Sequence, residues 1–559
     1  MEGKKKIISN IMKNFILWIN KNKFTVFLIF FAFITNLSIT VFNGIRICIK
    51  GECGIYIGNL HYHDFLWHFA LAVNAFKTIP FTLPIYMGSI LRGYNFLIDI
   101  VLFLFTKVGI SVLSSYFIIL PVAYLILMTL LSYKFFKNRN KDPLFIASGL
   151  FFIFFGSSFS YILSLYHFHS WQSFMYAQAM QSGRALLNMS YAWSLPILLG
   201  ALIILQKDKL TIRKIILLGI FLFFMFGLKF YGGVVLFVLI FVNRFFIWIK
   251  KGNVKILFEI VLYLIASYVG YIIFYKTSGS FNGFPFAFSP FAIAYPLIEE
   301  KDMFYIPSLV LARYYLVSVN SFSPRLLSIE LFTAIIFLIF NFGSRMIGSV
   351  LIMKKLIQRK VTRYDGIIIL IIIVFTTFTL LFVQKGEWWN IIQFLGYTLF
   401  LMNFFAAEAL FYLLKSKKKI FLLIGIGFIL LTLPTNIEQV SFAGERHISF
   451  NNEELNALTF LKKKPNGVVL TLPVQETSYV SAFSEKQEYI ADKNPLNLLG
   501  IDYEKRMNEV RDLHNPIFNI DKIKYIYYRK NNGEIESFIA PKEYRQIFEN
   551  KEIIIFSKK

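Results

Sequence analysis

Residues 354–383 read KKLIQRKVTRYDGIIILIIIVFTTFTLLFV. The first ten carry five Lys or Arg, and from Gly366 to Val383 there is no charged side chain. As an α-helix those 18 residues rise about 27 Å, close to the hydrocarbon thickness of a bilayer. A basic segment followed by such a run is the mark of a membrane span with its start held at the cytoplasmic face.

The same alternation covers most of the chain. Of 559 residues 57% are hydrophobic and only 16% charged, too few polar groups to cover a soluble protein of this size. In lipid every backbone polar group needs an internal partner, so the runs are read as helices. The net charge of +26 would suggest nucleic acid in a soluble protein. Here Lys and Arg sit between apolar runs, as in cytoplasmic loops, and a nucleic-acid partner is excluded.

Six basic clusters, 1–23, 134–141, 207–214, 250–255, 354–363 and 415–419, are assigned to the cytoplasm. Eleven spans then fall at 24–45, 111–133, 144–166, 190–206, 215–228, 231–249, 256–275, 326–353, 365–383, 391–414 and 420–434. The odd count puts the N-terminus inside and the C-terminus outside the cytoplasmic membrane. Span interiors read as almost free of charge. The fold expected is an all-α polytopic membrane domain over 1–434, with a first external loop at 46–110, followed by a small α/β extracytoplasmic domain over 435–559. Within that tail, Asn452 is expected to cap a helix to Leu461. Strands are expected at 467–473, 522–529 and 552–557, and helices at 502–513 and 542–549. The tail shows no phosphate-binding loop or nucleophile motif and reads as accessory. The stretch 94–107, interrupted by Asp99 and Lys107, reads as an interfacial or re-entrant helix.

Chemistry concentrates in the first external loop. Cys48 and Cys53, the only cysteines, flank Lys50-Gly51-Glu52 and are expected to form a disulfide hairpin in an oxidising compartment. His61-Tyr62-His63-Asp64-Phe65-Leu66-Trp67-His68 gathers three of the seven histidines with a carboxylate. On a helix Asp64 and His68 share a face. Two readings stand side by side. Asp64 is a general base oriented by His68, or His61, His63 and the carboxylate hold a divalent cation, Mg or Mn, that screens a phosphate.

The segment HDFLWHFALAVNAFKTIPFTLPIYMGSILRGYNFLIDIVL, together with LKFYGG (228–233) and the closing IFENKEIIIFS, resembles the GT-C superfamily of integral membrane glycosyltransferases, in particular bacterial enzymes that use polyprenyl-phosphate-linked sugars. The resemblance implies that Asp64 takes the place of the family's loop acid. It implies a lipid-phosphate sugar donor, a glycan, lipid or protein acceptor in the cell envelope, and reaction at the external face. Two departures stand out: Asp64 is followed by Phe65 where many members have a second acid, and the later acidic motif is suggested only by Glu299, Glu300 and Asp302. The donor phosphate calls for cations, and Arg92, Arg184, Lys229 and Arg325 are the external candidates, with Tyr94 beside them. His167 and His169 are further candidates for the loop cluster, Asn188-Met189-Ser190 fits a glycosylation sequon, and Glu387-Trp388-Trp389 reads as interfacial anchoring. The alternative function is a polysaccharide or lipid transporter, flippase or polymerase.

Overall fold

Each of the eleven apolar runs becomes helical in the computed structural model, which describes residues 22–169, 178–275, 284–321, 323–442, 446–511, 522–530, 538 and 540–559. Seven helices among the described residues are long and apolar enough to cross a membrane: Val112–Arg139, Phe230–Lys251, Val254–Tyr275, Pro324–Ile357, Arg363–Leu381, Trp388–Leu414 and Lys419–Ile437. An eighth span results if Pro143–Phe155 and Ser160–Phe168, bent by 51° at their junction, cross together.

The count of eleven is therefore not reached on length. The run 24–45 gives only Lys23–Ser38, because the chain turns before a strand starts at Ile45. Met189–Leu205 and Ile212–Leu228 have 17 residues each, about 26 Å of helix. The run 144–166 breaks after Phe155.

Ion pairs gather the basic clusters at one end of the bundle. Asp208 pairs with Arg363, and lies 3.9 Å from Lys251. Arg139 contacts Asp365 at 2.8 Å, Lys415 contacts Asp142 at 2.5 Å, and Asn138 donates to Gln206 at 3.0 Å. These contacts tie 134–141, 207–214, 250–255, 354–363 and 415–419 together. Because Asp208 and Lys251 meet, Ile212–Leu228 and Phe230–Lys251 form a hairpin, and Lys229, in extended conformation between them, sits at the opposite end. Among the seven described spans the most enclosed helix is Ile392–Leu414, buried almost from end to end.

The interior is more charged than the sequence reading expects. Pro324–Phe342 and Met346–Ile357 are separated by a 3₁₀ turn at Gly343–Arg345, and Arg345 is wholly buried there. Its guanidinium donates to Asn403 Oδ1 (2.7 Å), Gln181 Oε1 (2.7 Å) and the Ser157 carbonyl (3.2 Å). Arg244 is likewise buried and pairs with Glu259 at 2.6 Å. Removing a guanidinium from water is costly, so each must be held by several acceptors or a carboxylate.

At the other end the first loop and the tail pack on each other. Ile45–Ile49 and Glu52–Tyr56 form an antiparallel hairpin in which Cys48 faces Cys53, and the two sulfurs are bonded. Phe450–Asn451 of the tail adds a third strand to this hairpin. Asn74 donates to the Ser481 carbonyl (2.9 Å), Glu488 N–H to Pro84 (2.8 Å) and Ala491 N–H to Ile85 (3.0 Å). The helix Lys419–Phe442 runs on past 434.

The tail's main sheet has the order Val468–Leu472, Ile523–Arg529, Ile553–Lys558, Tyr544–Glu549, with the first pair parallel and the others antiparallel. Tyr544–Glu549 is thus a strand where a helix is expected from sequence. Asn550 explains the difference: its side-chain oxygen accepts from the N–H groups of Glu552 (3.1 Å) and Ile553 (2.8 Å), which turns the chain back into a hairpin. The cap of Asn452–Lys462 is Asn451, one residue earlier than expected, and its Oδ1 accepts from Glu454 N–H at 3.0 Å.

Candidate active site

Asn59–Asn74 is a helix, so Asp64 and His68 lie one turn apart on one face as their spacing predicts. The Asp64 carboxylate is about one-third exposed (35%) and His68 is buried, with Nε2 3.7 Å from Asp64 Oδ2. On its other side, His68 Nδ1 lies 2.6 Å from Asp99 Oδ1. Asp99 belongs to Leu97–Lys107, whose packed face is Ile98, Asp99 and Leu102. Burial pushes the Asp99 carboxyl up to about 6, with His68 pulling it down. For His68, burial acts to lower the pKa, but Asp99 and then Asp64 outweigh it and the net direction is up.

Asp64 also meets helix ends of the bundle on its own side. Asn188 caps Met189–Leu205, accepting from Tyr191 N–H (2.9 Å), and its side-chain nitrogen donates to Asp64 Oδ2 at 3.5 Å. Lys229 Nζ donates to Asn188 Oδ1 at 3.5 Å. A carboxylate, an amide and an ammonium thus follow one another across the mouths of three helices.

These groups open into one cavity of about 350 Å³. Asp64, Asn188 and Lys229 form its ionic side, with Tyr94 beside them, and Lys385 adds a second ammonium group. Neutral hydrogen-bonding groups come from Asn95, Gln384, Asn390 and Gln393. Tyr231 donates to Gln384 and thereby holds that amide in place. Phe230, Tyr271, Tyr275 and Phe286 supply aromatic faces, and Leu498 and Leu499 of the tail close one wall. The tail therefore contributes to the cavity and is not solely an appendage.

Several expectations do not meet here. His61 and His63 leave the helix in different directions. His61 is buried, with Nε2 3.1 Å from the Ile39 carbonyl, and burial lowers its pKa to about 4. His63 Nε2 lies 2.9 Å from Asp492 Oδ1 of the tail. With His68 committed to Asp99, no three His, Cys, Asp or Glu side chains among the described residues are placed to hold a metal ion. His61, His63 and Asp64 are thus not gathered into one donor set.

The remaining cations are elsewhere. Arg92 is exposed and lies outside the cavity lining. Arg184 is buried in the 3₁₀ segment Ser182–Leu187, with Nη2 3.5 Å from the Thr435 carbonyl. Arg325 lines a separate groove with Ser308 and Ser328. Glu299 of the proposed second acidic motif is taken by Arg313 at 2.9 Å. His167 Nε2 is taken by the Met303 carbonyl. Trp171, near His169, lies outside the described residues.

Solved structures share the fold of this chain. The chain is similar to the crystal structure of the Archaeoglobus fulgidus oligosaccharyltransferase tethered by a disulfide bond to an acceptor peptide containing the NVT sequon. There the TM-score is 0.50 and the identity 11%, over 92% of this chain and 70% of that one. The fold is similar to that of an archaeal oligosaccharyltransferase. The crystal structure of the same protein in complex with Zn and sulfate gives a TM-score of 0.49 at 13% identity, over 90% of this chain and 68% of that one. At such identities the likeness concerns the fold alone. No protein-family model and no curated protein matches the sequence.

Asp99, Asn188, Lys385 and the amides Gln384 and Gln393 were not among the site residues read from sequence. A signal existed for two of them. Asp99 is a lone carboxylate in an apolar helix and has to find a partner. Lys385 is a cation at the end of a span that begins in a basic cluster, on the side where cations are rare. Asn188 reads as a sequon, but Ser190 is buried and the amide faces Asp64.

Proposed function

We propose that the chain is a membrane glycosyltransferase that moves a sugar from a polyprenyl-phosphate-linked donor to a cell-envelope acceptor at the external face of the cytoplasmic membrane. The observation that carries this reading is one accessible carboxylate, Asp64, opening into the same cavity as two ammonium groups, Lys229 and Lys385. The aromatic side chains of the cavity suit stacking on a sugar ring, and its amides suit the sugar hydroxyls.

In the proposed step Asp64 takes the proton of an acceptor hydroxyl as the acceptor oxygen bonds to the anomeric carbon. The anomeric carbon–phosphate oxygen bond breaks, and the phosphate leaves with the electron pair. Lys229 and Lys385 stabilise the charge that grows on that oxygen, where fixed positive groups act most strongly. The lipid tail of the donor stays in the bilayer. The fold similarity to an oligosaccharyltransferase supports a transfer reaction of this class, and the end of the bundle that gathers the basic clusters supports the orientation with the N-terminus cytoplasmic and the tail outside.

Asp64→Asn tests the reading directly. Purified protein should lose transfer from a polyprenyl-phosphate sugar by roughly 10²–10⁴-fold, the usual contribution of a positioned base, with an unchanged melting temperature. Turnover equal to that of the parent would remove Asp64 from the chemistry.

A further inference from the structure

We propose that Asp99 is a positioning residue that acts through His68, fixing the imidazole so that Nε2 is presented to Asp64. The proposal rests on the reading of Asp64 as the base.

The geometry is a carboxylate–imidazole–carboxylate row crossing two separate elements. Asp99 Oδ1 and His68 Nδ1 are 2.6 Å apart, and both side chains are buried (0% and 1% exposed). A carboxylate placed on the packed face of an apolar helix is costly unless a partner uses it. With Nδ1 held, the ring cannot turn, and Nε2, which has no hydrogen-bond partner among the described residues, faces Asp64 Oδ2 at 3.7 Å. Asn188 reaches the same oxygen. Oδ1 of Asp64 takes part in neither contact.

The groups facing His68 set its protonation. They are Asp99 from Leu97–Lys107, Asp64 from its own helix and Lys229 from the hairpin mouth, with the rings of Tyr94 and Tyr116 at 6.2 and 6.0 Å. Burial and Lys229 disfavour the imidazolium; the two carboxylates favour it and prevail. A protonated Nε2 attracts the Asp64 carboxylate across 3.7 Å and biases it toward one orientation. Without the Asp99 charge, burial would dominate, the ring would become neutral, and that bias would be lost.

The experiment compares the full-length parent, Asp99→Asn, Asp99→Glu, His68→Gln and the Asp99→Asn/His68→Gln double variant in nanodiscs. NMR of ¹³C-labelled imidazoles follows the titration of the seven histidines independently of turnover. In Asp99→Asn one imidazole, absent from His68→Gln, should titrate at least about one unit lower, with Asp99→Glu restoring part of the shift. In parallel, the basic limb of the pH–rate profile should move to lower pH in Asp99→Asn, with kcat at pH 7.5 falling about tenfold and donor KM little changed. Asp99→Asn should cost nothing further in the His68→Gln background. An unmoved imidazole titration, or a full additional loss in the double variant, would overturn the proposal. An Asp64→Asn control that keeps full turnover, alongside the shifted titration, would instead remove the catalytic reading and leave the Asp99–His68 coupling standing.

Discussion

Lys229 shows how a single residue gains meaning from its place. It interrupts two apolar helices with an extended backbone, and its ammonium donates to Asn188 and lines the cavity within reach of the Asp64 charge. A charged contact to a phosphate is worth about 1.5–3 kcal/mol. Lys229→Met should therefore lower kcat/KM by roughly 10–100-fold, and steady-state assays at varied donor concentration would show it. A fall below about twofold would free Lys229 of that role. Asp64 and Lys229 were legible in the sequence because an ionisable group at a membrane boundary stands out against its neighbours. Asn188 and Gln384 were not, since a neutral amide looks the same in a loop and in a site.

At the level of elements, the broken helix at Gly343–Arg345 governs the interior of the bundle. Gly343 has φ +53°, and a Cβ there would lie 2.2 Å from the Ser157 carbonyl oxygen. The close approach is what brings Ser157 to Arg345. Gly343→Ala should cost at least about 1–3 kcal/mol from backbone conformation alone, seen as a lower melting temperature in detergent; an unchanged melting temperature would mean that the bundle relaxes around the added methyl. The apolar periodicity shows the helix on both sides of this break but not the break itself, because the signal for it is one Gly-Ser-Arg within a long run. The strand Tyr544–Glu549 was missed for a related reason. Its pattern allows either structure, and pairing with Ile553–Lys558 across the Asn550 turn decides it.

For the molecule as a whole, the junction of loop and tail should respond to pH. The hydrogen bond to Asp492 raises the pKa of His63 above its usual 6.5, and burial raises that of Asp492. Both groups hold protons more tightly when docked than when apart, so docking is favoured at lower pH. The His63 contribution is complete below 6.5 and is lost as pH rises through its raised value. Hydrogen-exchange protection factors, corrected for the intrinsic pH dependence of exchange, should fall over that rise in the segment around Asp492–Leu499, and His63→Leu should remove the His63 part of the dependence; equal protection at all pH values would contradict it. Topology follows from the same frame: tags at Asn138 and at the C-terminus should report opposite faces of the membrane, and a common face would break the weave.

Sequence alone determined that this is a polytopic helical membrane protein, which runs are apolar and which loops are basic, and that a His-rich acidic segment follows the first apolar run. These depend on local composition, since a stretch of lipid-compatible length and the charges flanking it are properties of neighbours along the chain. Only the tertiary structure decided that His61 and His63 part company, that Asp99 stands behind His68, and that Lys229 and Lys385 share a cavity with Asp64 while three arginines do not. Partners 31, 124 and 429 residues apart in the chain make those contacts. Such meetings are set by how helix ends converge, which no periodicity along the chain encodes.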